Sequence, residues 1–203
     1  MKSKEFDKCV IGYRRSVGKQ FGFKSCDYIS YRIVEGYFFC LYHLDNHSVT
    51  LEVKPVYSDD LWCDVFLVPG NKKPMSLRGL GAFVVPAEQI GEYDTFGPDW
   101  KNLTEQDVET IWTAVFNFIE TTITDFIARN PSADTYIPWK NYGAGGVTLV
   151  YLMYLLHNNK PQEVIDIIHD EQKKGRECEM ATVMYGRTVD GYTFILNYAQ
   201  TKI

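Results

Sequence analysis

The spacing of hydrophobic residues predicts a helix at the start of the chain. Over residues 3–20, apolar side chains recur every three or four positions, which is the repeat of one face of an α-helix. The residues of this stripe are Phe6, Val10, Tyr13 and Val17. Gly22, in the following FGFK segment, suits the end of a helix because glycine adopts the left-handed conformation without a steric cost.

Five short apolar runs after this helix predict strands. They are CDYISYRIV (26–34), YFFCLYHL (37–44), SVTLEVKPVY (48–57), LWCDVFLV (61–68) and LGAFVVP (80–86). Turn residues separate the runs and no helical pattern lies between them. We therefore expect an antiparallel meander of four to five strands rather than a parallel, doubly wound sheet. Residues 86–103, rich in Pro, Gly and Asp, predict a loop between two portions of the chain.

The stretch YHLDNHSV raises the question of a metal site, because His43 and His47 flank Asp45. Asp45-Asn46 is a turn signal, and a two-residue turn there fixes the register of the hairpin. That register pairs Tyr42 with Val49, Cys40 with Leu51 and Phe38 with Val53. Side chains alternate between the faces of a hairpin, so His43 and His47 would lie on opposite faces. We therefore predict that these two histidines do not share a metal ion.

The clearest helical pattern in the chain covers residues 104–130. Thr104 is a good N-cap with Asp107 three residues on, and Asn130-Pro131 ends the pattern. One continuous apolar stripe runs along it. Its members are Val108, Ile111, Trp112, Val115, Phe116, Ile119, Ile123, Phe126 and Ile127.

The remaining residues predict two further helices and one ambiguous segment. Residues 147–157 are apolar almost all round, which predicts a buried helix. Pro161 suits the first position of a helix over 161–174, and Gly175 suits its end. The segment after Asp190 fits a strand by its alternation and a short helix by its spacing, and we favour the helix. The prediction is one α+β domain over 1–203, with a sheet portion at 1–100 and a mainly helical portion at 104–203.

Charge and cysteine content narrow the possible functions. The 203 residues include 21 Lys and Arg against 26 Asp and Glu, a net charge of −5, which argues against nucleic-acid binding. Arg14-Arg15 and Lys173-Lys174 alternate with apolar residues and predict solvated helix faces. The five cysteines form no CxxC motif, which favours buried thiols in a reducing compartment. Without a signal-peptide pattern, and with the longest apolar run shorter than the ~20 residues of a membrane span, we expect a cytoplasmic protein.

The first candidate site is a cluster of acidic and aromatic residues at 57–64. It consists of Tyr57, Asp59, Asp60, Trp62 and Asp64. If the acids lie at an exposed turn, a tryptophan flanked by carboxylates suits the capture of lysine or arginine from a basic protein partner. The alternative is that Trp62 points into the core and the acids only solvate the turn.

The second candidate site is the glycine-rich segment YGAGGVTL that enters the buried helix. Backbone amides at a helix N-terminus bind anions, and Lys140 with Gly143, Gly145 and Gly146 would form such a site. The alternative is that the glycines allow close packing of the helix. Cys40 or Cys63 with His43 has no signature of a nucleophile and base, so we predict no catalytic residue, no metal site and no cofactor.

The order of a helix, FGFK, aromatic strands and VKPVYSDDLWCDVF resembles the domain-of-unknown-function family 4304 over the first half of the chain. The resemblance implies an α+β fold and a bacterial cytoplasmic protein, and it carries over no functional residue. The first hypothesis for function is a non-catalytic protein-binding module, comparable to toxin-neutralising immunity proteins. The second is an anion- or small-molecule-binding protein, or an enzyme, with a pocket between sheet and helices. The sequence does not determine an oligomeric state.

Overall fold

The computed structural model describes residues 3–26, 29–42, 48–67, 87–97, 100–140, 146–182 and 187–203. The chain divides into two compact units, the first from residues 1–56 and 87–136 and the second from residues 57–67 and 137–203, within the described ranges. The long helix over 105–129 therefore belongs to the unit that contains the sheet. The sequence pattern instead groups this helix with the mainly helical portion at 104–203 of a single domain.

The described chain contains six α-helices and seven strands. The helices are α1 (Ser3–Gln20), α2 (Tyr57–Val65), α3 (Glu105–Arg129), α4 (Leu149–His157), α5 (Pro161–Lys173) and α6 (Gly191–Gln200). The strands are β1 (Lys24–Cys26), β2 (Ile29–Val34), β3 (Tyr37–Tyr42), β4 (Ser48–Pro55), β5 (Glu88–Asp94), β6 (Glu179–Thr182) and β7 (Arg187–Asp190). A 3-10 turn lies at Trp100–Asn102. The predicted α+β fold is confirmed.

The first unit is an antiparallel meander with α1 and α3 packed on one face. Its strands follow in the order β1-β2-β3-β4-β5. Rings from β3 and α3 meet in the core, where Tyr37 and Phe39 lie 5.1 and 5.8 Å from Phe126, edge to face. Gly18 lets the two helices approach, because a Cβ there would lie 2.7 Å from Cζ of Phe116.

The β3–β4 register differs by one residue from the prediction. Observed pairs are Tyr42 with Thr50, Leu41 with Leu51 and Phe39 with Val53. A shift of one residue exchanges the two faces of a strand. Tyr37, Phe39 and Leu41 therefore belong to the main core, and Phe38 and Cys40 to a separate cluster. The turn residues themselves, with His43, Asp45 and His47, lie outside the described residues.

Two strand predictions are also corrected. Residues 61–65 of the run LWCDVFLV lie in helix α2 instead of a strand. The last strand of the sheet, β5, falls in the segment that the Pro- and Gly-rich composition predicted as a loop. LGAFVVP lies outside the described residues.

Helix α3 begins and ends as the sequence predicts. The Thr104 hydroxyl accepts a hydrogen bond from the Asp107 N–H, and the Asp107 carboxylate accepts one from the Thr104 N–H at 2.8 Å. This reciprocal capping box satisfies two backbone donors at the helix start. Asn130 caps the other end through its N–H.

The described part of the second unit contains α2, α4, α5 and α6 and the antiparallel strand pair β6–β7. Their shared core is aliphatic and aromatic, with Trp62, Phe66, Met153, Ile168 and Ile195 among its buried members. Pro161 is the first residue of α5, as predicted. The preference for a helix after Asp190 is confirmed by α6, whose N-cap is Asp190 itself.

Candidate functional site

The acidic and aromatic residues at 57–64 lie on helix α2, and the helix separates them. Asp59 and Trp62 are buried, at 1% and 9% exposure, so the expectation that both are exposed is wrong. Trp62 packs on Phe66 with ring centroids 4.8 Å apart. Asp60 and Asp64 stay exposed. These two are the exposed carboxylates of the predicted cluster.

Tyr57 and His157 form a parallel stack at one end of α2. Their ring centroids lie 3.7 Å apart and their planes differ by 2°. Tyr57 is half-buried by this contact between α2 and the last residue of α4. The stack gives Tyr57 a structural partner within its own unit.

The described end of the glycine-rich segment lies against the buried carboxylate of Glu171. Gly143 and Gly145 lie outside the described residues, whereas Gly146 and Lys140 lie within them. The N–H of Val147 donates to Oε2 of Glu171 at 3.3 Å. A Cβ on Gly146 would lie 3.0 Å from the same oxygen, so a larger residue there would crowd the Glu171 carboxylate. An external anion would have to compete with Glu171 for the Val147 amide.

Glu171 on α5 is a buried carboxylate with several hydrogen-bond donors around it. It is 5% exposed, and it accepts hydrogen bonds from Arg176 at 2.9 and 3.1 Å and from Lys174 at 3.1 Å. Burial raises the pKa of this carboxyl, but the hydrogen bonds from Arg176 and Lys174 outweigh burial and leave the pKa below its usual value. The predicted cation, Lys140, instead lies 5.5 Å from the ring centroid of Tyr151.

Two cationic side chains of the first unit are buried, which the sequence pattern did not predict. Arg14 is 1% exposed and shares the inward stripe of α1 with Val10 and Val17, so the prediction of a solvated face is wrong for Arg14. Lys54 is equally buried on β4, with Nζ 5.9 Å from the ring centroid of Phe38. The three- to four-residue spacing of the α1 stripe includes position 14, and this was the signal that could have identified Arg14.

Cys40 and Glu52 lie opposite each other on the sheet face that carries Lys54. Burial is the main reason why the pKa of the Cys40 thiol is raised well above its usual value, and the Glu52 charge adds to it. Burial likewise raises the pKa of Glu52, and Lys54 opposes that shift. A thiol with a raised pKa stays protonated at neutral pH, which is the wrong direction for a cysteine nucleophile.

A groove on the surface of the first unit brings together side chains from two helices. Its volume is about 450 Å³, and its lining includes Glu5, Cys9, Tyr13 and Ser16 on α1 and Glu105 at the start of α3. Because residues 5, 9, 13 and 16 recur at helical spacing, they share one face of α1. The groove was not predicted, since Glu105 joins these residues only through the packing of α3 against α1.

The electrostatic environment of the groove is negative. Burial raises the pKa of the Cys9 thiol, and the negative charge of Glu105 raises it further. Burial also raises the pKa of the Tyr13 hydroxyl, and the charges of Glu109 and Glu105 add to that effect. Lys8 is the basic residue of the lining. Carboxylates on both helices thus favour a cationic occupant over an anionic one.

The described residues offer no site of metal-binding chemistry. Within these ranges, no three His, Cys, Asp or Glu side chains lie close enough to hold a metal ion. Cys9, Cys40, Cys63 and Cys178 do not form disulfides among the described residues. None of the helices in the described part of the chain combines the length and the apolar character needed to cross a membrane.

Comparison of the chain with protein-family models, with curated proteins and with solved structures finds no match. The resemblance to family 4304 therefore stays a prediction. The candidate site rests on the geometry of this chain.

Proposed function

We propose that this protein is a non-catalytic binding module of the bacterial cytoplasm that engages a basic segment of another protein. The observation that carries the proposal is the groove between α1 and α3, where Glu5 and Glu105 flank a half-buried Tyr13. Toxin-neutralising immunity proteins provide an analogy for such a module, in which an acidic surface captures a basic partner.

The size and chemistry of the groove suit a lysine or arginine side chain. A volume of about 450 Å³ lies within the range of pockets that take small ligands, so long side chains fit. Glu5 and Glu105 supply charge complementarity, and the ring of Tyr13 supplies a face for a cation. The net charge of −5 adds long-range attraction for a basic partner.

Three thiols in the described residues argue against a cysteine nucleophile. The pKa values of Cys9, Cys40 and Cys178 are all raised, in each case first by burial. A cysteine nucleophile needs the opposite shift, which neighbouring cations or a helix N-terminus produce. These three thiols are therefore suited to packing rather than to chemistry.

The proposal is tested with a fluorescent, end-blocked peptide of alternating lysine and glycine. We expect it to bind the full chain at low salt and to dissociate as salt is added, since exposed charges are screened. Glu5→Gln combined with Glu105→Gln should weaken binding about 2- to 30-fold, because each exposed ion pair contributes ~0.2–1 kcal/mol. The matched control, Asp60→Asn with Asp64→Asn, removes the same charge from α2 and should leave the affinity nearly unchanged.

Two outcomes would contradict the groove as the binding site. One is an unchanged affinity in the Glu5 and Glu105 double variant. The other is an equal loss in the Asp60 and Asp64 variant, which would mean that net charge alone attracts the peptide. A loss confined to the α2 variant would instead favour the site predicted from the sequence.

A further inference from the structure

Among the strands that the structure describes, β5 is an end strand of the five-stranded sheet. Among the described strands, β5 pairs with β4 on one side only. Within the described ranges, the backbone N–H and C=O groups on its other side have no partner strand, and such groups are a template for one more strand. With seven residues, the edge is about 23 Å long at ~3.3 Å per residue.

Acidic side chains line this edge. Glu88, Glu92 and Asp94 carry negative charge, and the seven residues EQIGEYD include no basic residue. Glu92 and Asp94 are exposed and project from one face of the sheet, because they pair with Thr50 and Ser48, two positions apart on β4. Natural edge strands are commonly protected by charge, most often by lysine.

The negative charge of β5 determines which kind of strand can pair with it. A second copy of β5 would place carboxylates opposite carboxylates, which destabilises a strand pair. A strand that carries lysine or arginine would instead place opposite charges next to Glu92 and Asp94. The edge thus disfavours self-association and is complementary to a basic strand.

Helix α3 packs against one face of β5 and fixes the position of the strand. Tyr93 packs on Phe118 with ring centroids 5.4 Å apart. At Gly91 a Cβ would lie 3.3 Å from the Phe118 ring, so the backbone of β5 lies directly against the helix. The Tyr136 hydroxyl donates a hydrogen bond to Glu88 at the start of the strand. A template fixed in this way loses little conformational entropy when a strand is added.

We propose that the β5 edge accepts an extended basic segment of the partner as a sixth strand of the sheet, by β-augmentation. The basic character of the partner rests on the proposed function, but the surface differs from the groove between α1 and α3. Backbone hydrogen bonds along 88–94 supply affinity, and Glu92 and Asp94 select lysine or arginine at alternate positions of the added strand.

The test uses an end-blocked peptide of alternating lysine and valine with the same number of residues as β5. It is compared with two peptides of equal charge: alternating lysine and glycine, which has low strand propensity, and a fully N-methylated lysine–valine peptide, which lacks amide donors. We expect only the unmodified lysine–valine peptide to slow hydrogen exchange of backbone amides within 88–94. N-methylation should abolish that protection without changing the charge.

Protein variants locate the contact. Glu92→Lys combined with Asp94→Lys should lower the affinity for the lysine–valine peptide roughly tenfold or more, because attraction becomes repulsion across the strand pair. Asp60→Lys combined with Asp64→Lys changes the net charge equally on α2 and should cause a much smaller loss. The N-methylated peptide keeps the test decisive if a variant fails to fold.

The possible results separate this inference from the proposed function. If the lysine–glycine peptide binds the groove but no peptide protects 88–94, the edge is refuted and the proposed function stands. If the lysine–valine peptide protects 88–94 also in the Glu5→Gln, Glu105→Gln variant, the edge is supported independently of the groove. Retention of binding by the N-methylated peptide overturns strand addition, and absence of binding by every peptide overturns both proposals.

Discussion

Replacement of Glu171 by glutamine tests the charge network that holds the start of α4 against α5. The substitution keeps the size of the side chain and removes its charge. In the native protein both carboxylate oxygens accept hydrogen bonds, from Arg176, Lys174 and the backbone N–H of Val147. Glutamine offers one acceptor oxygen, and its amide group would face donors instead of an acceptor.

The expected cost follows from the burial of the partners. Breaking a fully buried ion pair costs about 3–5 kcal/mol, because the remaining charge stays unsolvated. Lys174 and Arg176 keep 47% and 38% of their side-chain exposure, so water replaces part of what they lose. Hydrogen bonds to charged groups contribute about 1.5–3 kcal/mol, and we expect Glu171→Gln to lower the free energy of unfolding by about 2 kcal/mol at neutral pH.

The loss should depend on pH in a defined direction. The pKa of Glu171 lies below its ordinary value of 4.5, because hydrogen bonds from Arg176 and Lys174 outweigh the effect of burial. A carboxyl with a depressed folded-state pKa stabilises the protein above its unfolded-state pKa, and this contribution is lost as the pH falls through the folded-state pKa. The difference between the wild type and Glu171→Gln should therefore be constant near neutral pH and shrink below about pH 4.5.

The assay is urea denaturation at a series of pH values, followed by tryptophan fluorescence and near-UV circular dichroism. The matched control is Asp170→Asn, which removes an exposed partner of the same Lys174 and should cost less than about 1 kcal/mol. The reasoning would be refuted by a Glu171→Gln cost no larger than that of the control. A cost that stayed the same from neutral pH to below pH 4 would refute it equally.

Two further substitutions test the packing of the helices by urea denaturation. Ile119→Ala, in the core-facing stripe of α3, should lower the free energy of unfolding by ~2–5 kcal/mol through loss of buried surface and the cavity left behind. Thr124→Ala on the exposed face of α3 should change it by no more than about 0.5 kcal/mol. Equal changes for the two variants would mean that the buried face of α3 is misassigned. Trp62→Ala should lower the free energy of unfolding by ~3–5 kcal/mol, because Trp62 packs in the core of the second unit. Asp64→Ala should leave the free energy of unfolding almost unchanged. A loss below about 1 kcal/mol for Trp62→Ala would mean that this side chain lies at the surface instead.

Helix α3 illustrates what local pattern predicts well. Its stripe of apolar residues is long enough to exclude a strand, and its boundaries are set by neighbours in sequence. Thr104 and Asp107 form the capping box at the start, and Asn130 caps the end. Each of these interactions spans at most four residues, so no knowledge of the tertiary structure was needed to expect them.

Strand β3 and helix α2 show where local pattern fails. All residues of β3 but the last are buried, so alternation gave no indication of which face meets the helices. The one-residue error in register follows from that ambiguity. In α2, the buried residues Ser58, Asp59, Trp62 and Val65 recur at helical spacing, but nine residues are too few for periodicity to decide between helix and strand.

The candidate sites depended still more on tertiary structure. The groove joins Glu5 and Tyr13 to Glu105, which is about a hundred residues away in sequence and comes near only because α1 packs on α3. The sequence identifies the acidic residues of α2, but it does not predict which of them are exposed. The same helix buries Asp59 and exposes Asp60.

The sequence by itself determined the class of fold and the positions of most helices. It did so because helix propensity, capping and apolar periodicity act between residues a few positions apart. Only the tertiary structure decided which face of each strand is buried, that β5 is an acidic end strand among the described strands, and that Arg14 and Lys54 are buried. Burial and charge environment arise from contacts between residues distant in the chain, and local pattern carries no information about those contacts.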